Sequence, residues 1–141
     1  MIDQECLEKK IEEWKTADPT LDIFFRPKRE DDGRKDNFIF VYQKKWQKDL
    51  LKRYGNEILL LDATYKTTRY ALPLFFLVVP TNLDYQIVAT FVIENESKES
   101  ITEALSIVKA WNPSLKPLFC MTDYCNEEID SLEGVFPGKS V

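Results

Sequence analysis

Apolar residues in the first part of the chain follow helical spacing, then strand spacing, then helical spacing again. A first amphipathic helix is predicted over residues 2–16 from apolar positions four and three residues apart: Leu7, Ile11 and Trp14. Residues 23–25 and 38–42 are rich in strong β-formers and flank a charged turn, which predicts a hairpin. Residues 43–54 return to helical spacing. We therefore interpret residues 1–55 as an extension of helix, hairpin and helix ahead of the main domain.

The helix predicted over residues 43–54 has an apolar face and a basic stripe. Its apolar positions are Trp46, Leu50 and Tyr54, and Gly55 stands where a left-handed C-cap residue is expected. A charged helix face is usually a solvated surface, but regularly spaced lysines are also candidates for contacts with DNA phosphates. The lysines that recur every four residues are Lys44, Lys48 and Lys52.

From residue 56 the pattern changes to strands. Short turns separate three strand patterns over residues 58–65, 72–79 and 85–94, which predicts an antiparallel meander. Ser97 is a candidate N-cap for a helix that ends before Pro113.

A fourth strand is predicted over residues 118–122. Since the preceding helix makes a long connection, this strand should run parallel to the first strand of the meander. A last helix begins near Asn126, and the chain stops where a fifth strand would begin. Residues 56–141 are therefore predicted to form a mixed α/β sheet that lacks its last strand and helix.

Composition and charge exclude several kinds of function. The 141 residues carry 19 basic and 24 acidic side chains, a net charge of −5, which argues against an autonomous electrostatic binder of DNA or membranes. The absence of His excludes Ser–His, Cys–His and His-ligated zinc mechanisms within these residues. Residues 1–55 hold 13 basic and 12 acidic groups, whereas residues 56–141 hold 6 and 12. The acidic part fits divalent-metal binding better than direct phosphate binding, and it also fits plain solubility.

The cysteines and the apolar runs predict a reduced intracellular protein with no membrane span. The spacings of Cys6, Cys120 and Cys125 match neither a disulfide framework nor a Cys-x-x-Cys zinc pair. No apolar run reaches the roughly 20 residues that a spanning helix needs.

Two aspartates at strand ends are the candidate chemistry. Asp62 interrupts the apolar run 58–61, where a buried carboxylate costs several kcal/mol unless a metal, a cation or hydrogen-bond donors compensate it. Asp123 follows the apolar strand 118–122. If the two strands are neighbours, both carboxylates reach one sheet edge and can share Mg²⁺ or Mn²⁺. Alternatively, Asp123 caps the next helix and Asp62 accepts bonds from the Thr64 or Thr67 hydroxyls.

A set of short motifs resembles the Mutator-like-element (MULE) transposase domain over roughly residues 38–141. The motifs are residues 60–68 (LLDATYKTT) with 70–74 (YALPL), Glu96-Ser97 before a helix, 121–123 (MTD) and 135–137 (VFP). Two further segments, 111–114 (WNPS) and 122–124 (TDY), are particularly similar to zinc finger SWIM domain-containing proteins, which carry a domesticated version of this domain.

The resemblance implies a ribonuclease-H-like fold and a DDE triad that binds two Mg²⁺ or Mn²⁺ ions for DNA strand cleavage and transfer in the nucleus. It assigns the first two acids to Asp62 and Asp123. The third, a Glu, and a Cys/His pair lie beyond residue 141 in the family, so we expect this chain to be a fragment or a degenerate copy that is inactive by itself. Glu96 matches an acidic position of the family that we interpret as structural or as supporting the metal ligands, not as catalytic. The acids at positions 127, 128, 130 and 133 are expected on a solvent face of the last helix and are poor substitutes for the third acid.

Two interpretations other than a transposase remain open. The same fold could serve as a domesticated, non-catalytic module for protein or DNA interaction, or the chain could be an unrelated α/β binding domain with two chance aspartates. If DNA is bound, Lys66 and Arg69 are candidates for phosphate contacts near the metals, together with the stripe Lys44, Lys48 and Lys52. Salt bridges with neighbouring acids are their alternative. The aromatic residues predicted to form the core are Phe75, Phe76, Phe91, Trp111 and Phe119.

Overall fold

The computed structural model describes residues 4–31, 33–64, 73–95, 97–122, 126–136 and 139–140. Within these ranges the chain forms four helices: α1 (Gln4–Ala17), α2 (Lys45–Tyr54), α3 (Lys98–Trp111) and α4 (Asn126–Val135). The same ranges contain nine strands: β1 (Asp22–Arg26), β2 (Arg29–Asp31), β3 (Arg34–Asp36), β4 (Ile39–Gln43), β5 (Ile58–Thr64), β6 (Leu74–Pro80), β7 (Tyr85–Ile93), β8 (Phe119–Thr122) and β9 (Lys139–Ser140).

Seven strands of the described ranges form one mixed sheet in the order β1-β4-β7-β6-β5-β8-β9. Strands β5, β6 and β7 form the predicted antiparallel meander. Strand β8 lies parallel to β5, as the long α3 connection predicted. Strand β9 pairs in parallel with β8 over two residues, so the fifth strand that we expected to be missing has its beginning here. The predicted mixed α/β architecture is confirmed.

The predicted N-terminal hairpin is confirmed and extends the same sheet. Strand β1 pairs with β4, and β4 pairs with β7, while β2 and β3 form a small separate ladder in the turn. Arg26 ties β1 to α3, because its guanidinium donates hydrogen bonds of 2.6 and 2.8 Å to the two carboxylate oxygens of Glu103. These side-chain hydrogen bonds raise the pKa of Arg26 above its usual value.

Helices α2, α3 and α4 cover one side of the sheet, which we call the inner face. Strand residues alternate between the two sides, and those on the inner face are fully buried in one cluster with helical side chains such as Leu51, Ile101 and Leu132. Phe75 and Phe91 stack in this core with ring centroids 4.9 Å apart. Ser97 caps α3 as predicted, accepting a hydrogen bond from the Ser100 backbone N–H.

A buried amide network joins the inner face to the helices. The β6–β7 register shifts at Val88, and the Gln43 side chain donates a 2.7 Å hydrogen bond to the Val88 carbonyl. Asn112 caps the end of α3 and donates to both the Gln43 side-chain oxygen and the Val108 carbonyl. Buried Gln43 is thus satisfied by partners far away in the sequence, which no local pattern could predict.

The predicted apolar face of α2 is confirmed for Leu50 and Tyr54, which are partly buried against the core, and is wrong for Trp46, which is half exposed. The buried positions of the helix are Gln47 and Leu51, and Gln47 donates a hydrogen bond to the Ile87 carbonyl. The prediction for Gly55 was also wrong. Gly55 has a right-handed conformation with φ −72°, not a left-handed one. A Cβ at this position would lie 2.6 Å from the Leu51 carbonyl oxygen, so close packing is what requires glycine here.

Candidate functional site

Asp62 lies on the side of the sheet opposite α2–α4, which we call the outer face. Leu59 and Leu61 point into the core, and Asp62 alternates with them to an exposed position opposite Phe76 of β6. Our expectation that a buried carboxylate needs compensation here was wrong, because its strand position turns the side chain to solvent. Among the described side chains, the ion pairs found do not include Asp62.

The register of β5 and β8 shows which residues immediately precede the two aspartates on neighbouring strands. Leu61 pairs with Thr122 across the two parallel strands. Asp62 and Asp123 are the residues that follow this pair in the sequence, although Asp123 itself lies outside the described residues. The hydroxyl oxygen of Thr122 is buried and has no hydrogen-bond partner among the residues that the structure describes. Neighbouring strands lie about 4.8 Å apart, so residues at adjacent positions on β5 and β8 are close neighbours.

The described residues do not complete a metal centre by themselves. No group of three or more Cys, Asp or Glu side chains within the described ranges could hold a metal ion. Asp62 supplies one exposed carboxylate, which is a suitable oxygen ligand for Mg²⁺. A fit to one ion therefore depends on Asp123, and a fit to two ions would need acids beyond these two.

The acids of α4 were predicted to share a solvent face, and this is wrong for Glu128. Its exposed fraction is 1%, whereas Glu127, Asp130 and Glu133 are exposed. Glu128 lies on the same helical stripe as the buried residues Ser131, Leu132 and Val135, through which α4 packs against α3 and the core. Glu96, interpreted as structural, lies outside the described residues.

The lysine stripe lies at a different part of the molecule from Asp62. The Lys48 ammonium is 2.8 Å from the Asp22 carboxylate of β1, at the sheet edge, where β4, β7 and β6 separate β1 from β5. Four strand spacings of about 4.8 Å amount to roughly 19 Å. Lys44 precedes α2 and Lys52 is exposed near its end. The structure does not bring Lys48 and Asp62 together; Lys66 and Arg69 lie outside the described residues.

Several outer-face residues were missed or misplaced by sequence reasoning. Phe119, predicted as core, has an exposed fraction of 40% because no described helix covers β8 on this side. Tyr85, Ile87 and Met121 are exposed on the same face. Their spacing of two residues along β7 and β8 was a signal in the sequence, but an alternating pattern does not tell which of two apolar faces is covered.

Comparison with known families identifies the domain type. The family model for the RNaseH-like domain of zinc finger SWIM domain-containing protein 1/3 matches residues 29–141. No curated protein matches the chain. No helix within the described ranges is long and apolar enough to cross a membrane.

Proposed function

Because the chain belongs to the RNaseH-like domain family of zinc finger SWIM domain-containing proteins 1 and 3, we propose that it is a MULE transposase-derived nucleic-acid domain of the nucleus. In this proposal Asp62 and Asp123 are the first two acids of a former DDE site. They bind Mg²⁺ or Mn²⁺, which when bound would neutralise charge on phosphate oxygens. Two acids hold an ion weakly, so we expect residues 1–141 to have no strand-cleavage or strand-transfer activity.

The observation that carries this proposal is the parallel pairing of β5 with β8. The pair Leu61 and Thr122 immediately precedes the two aspartates. The carboxylate of Asp62 is exposed, so an ion can reach it from solvent. An unrelated fold with chance aspartates would have no reason to bring these two strands into this register, and the family match argues against it as well.

Thermal unfolding tests the metal site. Mg²⁺ or Mn²⁺ should raise the melting temperature of the wild-type chain, since an ion that binds only the folded state stabilises it. Asp62→Asn should abolish the rise. The matched control is Asp84→Asn, which removes an exposed acid in the β6–β7 turn and should keep the rise. A rise that persists in Asp62→Asn, or no rise in the wild-type chain, would remove the shared site.

DNA contact by basic residues is a separate part of the proposal. Lys44 and Lys52 are exposed, whereas Lys48 is already paired with Asp22, so we expect the first two to contribute most of the effect of the stripe. Reversing all three to Glu should weaken DNA binding and lower its dependence on salt. A matched reversal of three exposed lysines on α1, Lys9, Lys10 and Lys15, should leave both unchanged. Lys66→Ala with Arg69→Ala tests the contacts proposed near Asp62.

A domesticated interaction module is the second candidate, and the outer face favours it. Exposed apolar side chains of β7 and β8 lie on this face, with the partly exposed Leu60 and Val78 on the two strands between them, beside Asp62. Contiguous exposed apolar surface is more typical of an interaction site than of a plain solvated sheet.

A further inference from the structure

Three aromatic rings border a pocket between the end of α1 and strand β4, which we call the aromatic pocket. The rings belong to Trp14 of α1 and to Phe40 and Tyr42 of β4. Phe40 is adjacent to both other rings, with centroids 6.4 Å from Trp14 and 6.0 Å from Tyr42. The ring planes are inclined by 58° and 37°, so the rings border a hollow of about 380 Å³ instead of stacking flat.

The spacing of residues along β4 and α1 explains why the rings meet. Phe40 and Tyr42 are two residues apart on β4, so both point to the outer face, opposite the buried Ile39 and Val41. Trp14 reaches the same place from α1 and has an exposed fraction of 42%. Part of its ring is therefore accessible from the pocket.

Asp18 adds a carboxylate to the aromatic pocket one helical turn after Trp14. Its backbone N–H donates a 2.9 Å hydrogen bond to the Trp14 carbonyl and so closes the last turn of α1. Thr20 donates to Asp18 Oδ1 from its hydroxyl at 2.6 Å and from its backbone N–H at 3.1 Å. These hydrogen bonds hold the pKa of Asp18 below its usual value, so the group is an anion at neutral pH. The carbonyl end of α1 adds partial negative charge, and the pocket therefore favours a cation.

The walls of the aromatic pocket favour one kind of cation. The face of an aromatic ring attracts a cation within about 6 Å of its centroid. An unmodified lysine ammonium carries N–H donors that water solvates strongly, and the apolar walls Ala17 and Leu21 offer these donors no acceptor side chain. A trimethylated ammonium keeps the charge but has no N–H donor, so it loses less when it leaves water.

Lys44 is the other charged residue among the described residues that line the aromatic pocket. Its positive charge contributes to the lowered pKa of Asp18, which places it within electrostatic reach of that carboxylate. The Lys44 side chain is exposed and has a flexible stem, so it can swing away when another cation enters. Repulsion between Lys44 and the ligand lowers the affinity, and removing this charge should raise it.

We propose that the aromatic pocket binds the trimethylated side chain of a lysine in a partner protein. The three rings and Asp18 hold the ammonium, while Ala17 and Leu21 contact the methylene stem. A choline headgroup offers the same ammonium but holds a phosphate close to it, which would bring a second anion towards Asp18.

This site is independent of the proposed metal and DNA contacts. Strand β4 is separated from β5, which carries Asp62, by β7 and β6, and three strand spacings amount to roughly 14 Å. Trp14 and Asp18 also precede residues 29–141, which the family model matches. Failure of the metal or DNA proposal would therefore leave this one standing, and the reverse holds as well.

Matched peptides test the proposal on the wild-type chain. The probe is a fluorescein-labelled peptide of glycine and alanine with a single trimethyllysine, and the comparison peptides carry lysine or an uncharged tert-butyl analogue of trimethyllysine at that position. Fluorescence anisotropy should show at least about tenfold tighter binding of the trimethyllysine peptide than of either comparison peptide. Equal binding of either comparison peptide, or no binding of the trimethyllysine peptide up to about 1 mM, would overturn the proposal.

NMR of the same wild-type chain locates the contact. The indole N–H signal of Trp14 should shift as the trimethyllysine peptide is added, whereas that of Trp46, an exposed residue of α2, should not. Spectra of Trp14→Phe and Trp46→Phe assign the two signals. A shift of the Trp46 signal without one of Trp14 would contradict the proposed site.

Ring variants separate the π face from apolar bulk. Trp14→Leu should weaken binding of the trimethyllysine peptide at least about fivefold, whereas Trp14→Phe retains an aromatic face and should retain most of the binding. The matched control is Trp46→Leu, which replaces a similarly exposed tryptophan outside the pocket and should leave binding unchanged. Equal losses in Trp14→Leu and Trp46→Leu would refute the role of the pocket.

Charge variants should have effects of opposite sign. Asp18→Asn keeps an oxygen that accepts from Thr20 but loses the negative charge, so it should weaken binding of the trimethyllysine peptide at least about threefold. Lys44→Gln should strengthen the same binding, and neither variant should change binding of the uncharged analogue. Weaker binding in Lys44→Gln would contradict the proposed position of the ligand cation.

Vesicles test the alternative source of a methylated ammonium. Phosphatidylcholine vesicles should neither bind the chain in flotation assays nor displace the trimethyllysine peptide. Displacement of the peptide by these vesicles would assign the aromatic pocket to a lipid headgroup and overturn the assignment to lysine.

Discussion

The two faces of this sheet are built from the same strands yet differ in what they meet. On the inner face, Phe75 and Phe91 stack beneath α2–α4 and are fully buried. On the outer face, Phe119 and Met121 occupy equally apolar strand positions and remain more than one-third exposed. The comparison shows that side-chain hydrophobicity specifies which residues favour burial, whereas the packing of helices decides which residues are buried.

The largest expected contrast between the faces is in the cost of losing an aromatic ring. Phe91→Ala removes a stacked ring from a closed core, so we expect the free energy of unfolding to fall by about 3–5 kcal/mol. Phe119→Ala removes a ring that is already 40% exposed, and the loss should be well below that of Phe91→Ala. Urea denaturation of the two variants measures both. Similar losses would mean that the outer face is covered in solution.

A smaller effect should follow from cutting the amide network of the inner face. Asn112→Ala leaves the buried Gln43 side-chain oxygen without its donor, which should cost about 1–3 kcal/mol of unfolding free energy. The matched control is Asn82→Ala in the exposed β6–β7 turn, which should cost less than about 0.5 kcal/mol. Equal costs in chemical denaturation would show that the network adds nothing to stability.

The smallest expected effect on stability at neutral pH concerns Cys120, whose side chain points to the inner face. Its neighbour on β8, Met121, points to the outer face. Burial raises the pKa of the Cys120 thiol from 9.0 to about 11. The protonated thiol therefore favours the folded state. Its stabilising contribution is complete below pH 9.0 and is lost as the pH rises towards about 11.

Thiol labelling compares the reactivity of Cys120 on the inner face with that of a thiol on the outer face. In a chain with Cys6→Ser and Cys125→Ser, Cys120 should react slowly with iodoacetamide at pH 8. Adding Met121→Cys should introduce a rapidly reacting thiol one residue away, on the outer face. Rapid labelling of Cys120 at pH 8 would contradict the separation of the two faces.

Local pattern predicted much of the architecture. Apolar runs separated by turns identified β5, β6, β7 and β8, and Ser97 marked the start of α3 because N-capping is a local interaction. The length of the α3 connection was enough to predict that β8 runs parallel to β5. The resemblance of the short motifs to a known family predicted the SWIM-related RNaseH-like domain that the family match shows.

The candidate site was predictable only in part. The sequence identified Asp62 as a candidate and predicted that its strand, β5, lies beside β8, the strand that precedes Asp123. It suggested a buried carboxylate at Asp62, whereas the structure has an exposed one. Glu128 was expected on a solvent face and is buried, since helix packing, not charge, determined which side of α4 meets α3.

By itself, the sequence determined element type, strand direction and the order of the acidic motifs, because these depend on residue spacing and connection length. The tertiary structure decided which apolar face is covered, that Asp62 is exposed on the outer face, and that Gln43 forms hydrogen bonds with Val88 and Asn112. Those outcomes depend on contacts between residues distant in the sequence, and strand alternation is the same whichever face the helices cover.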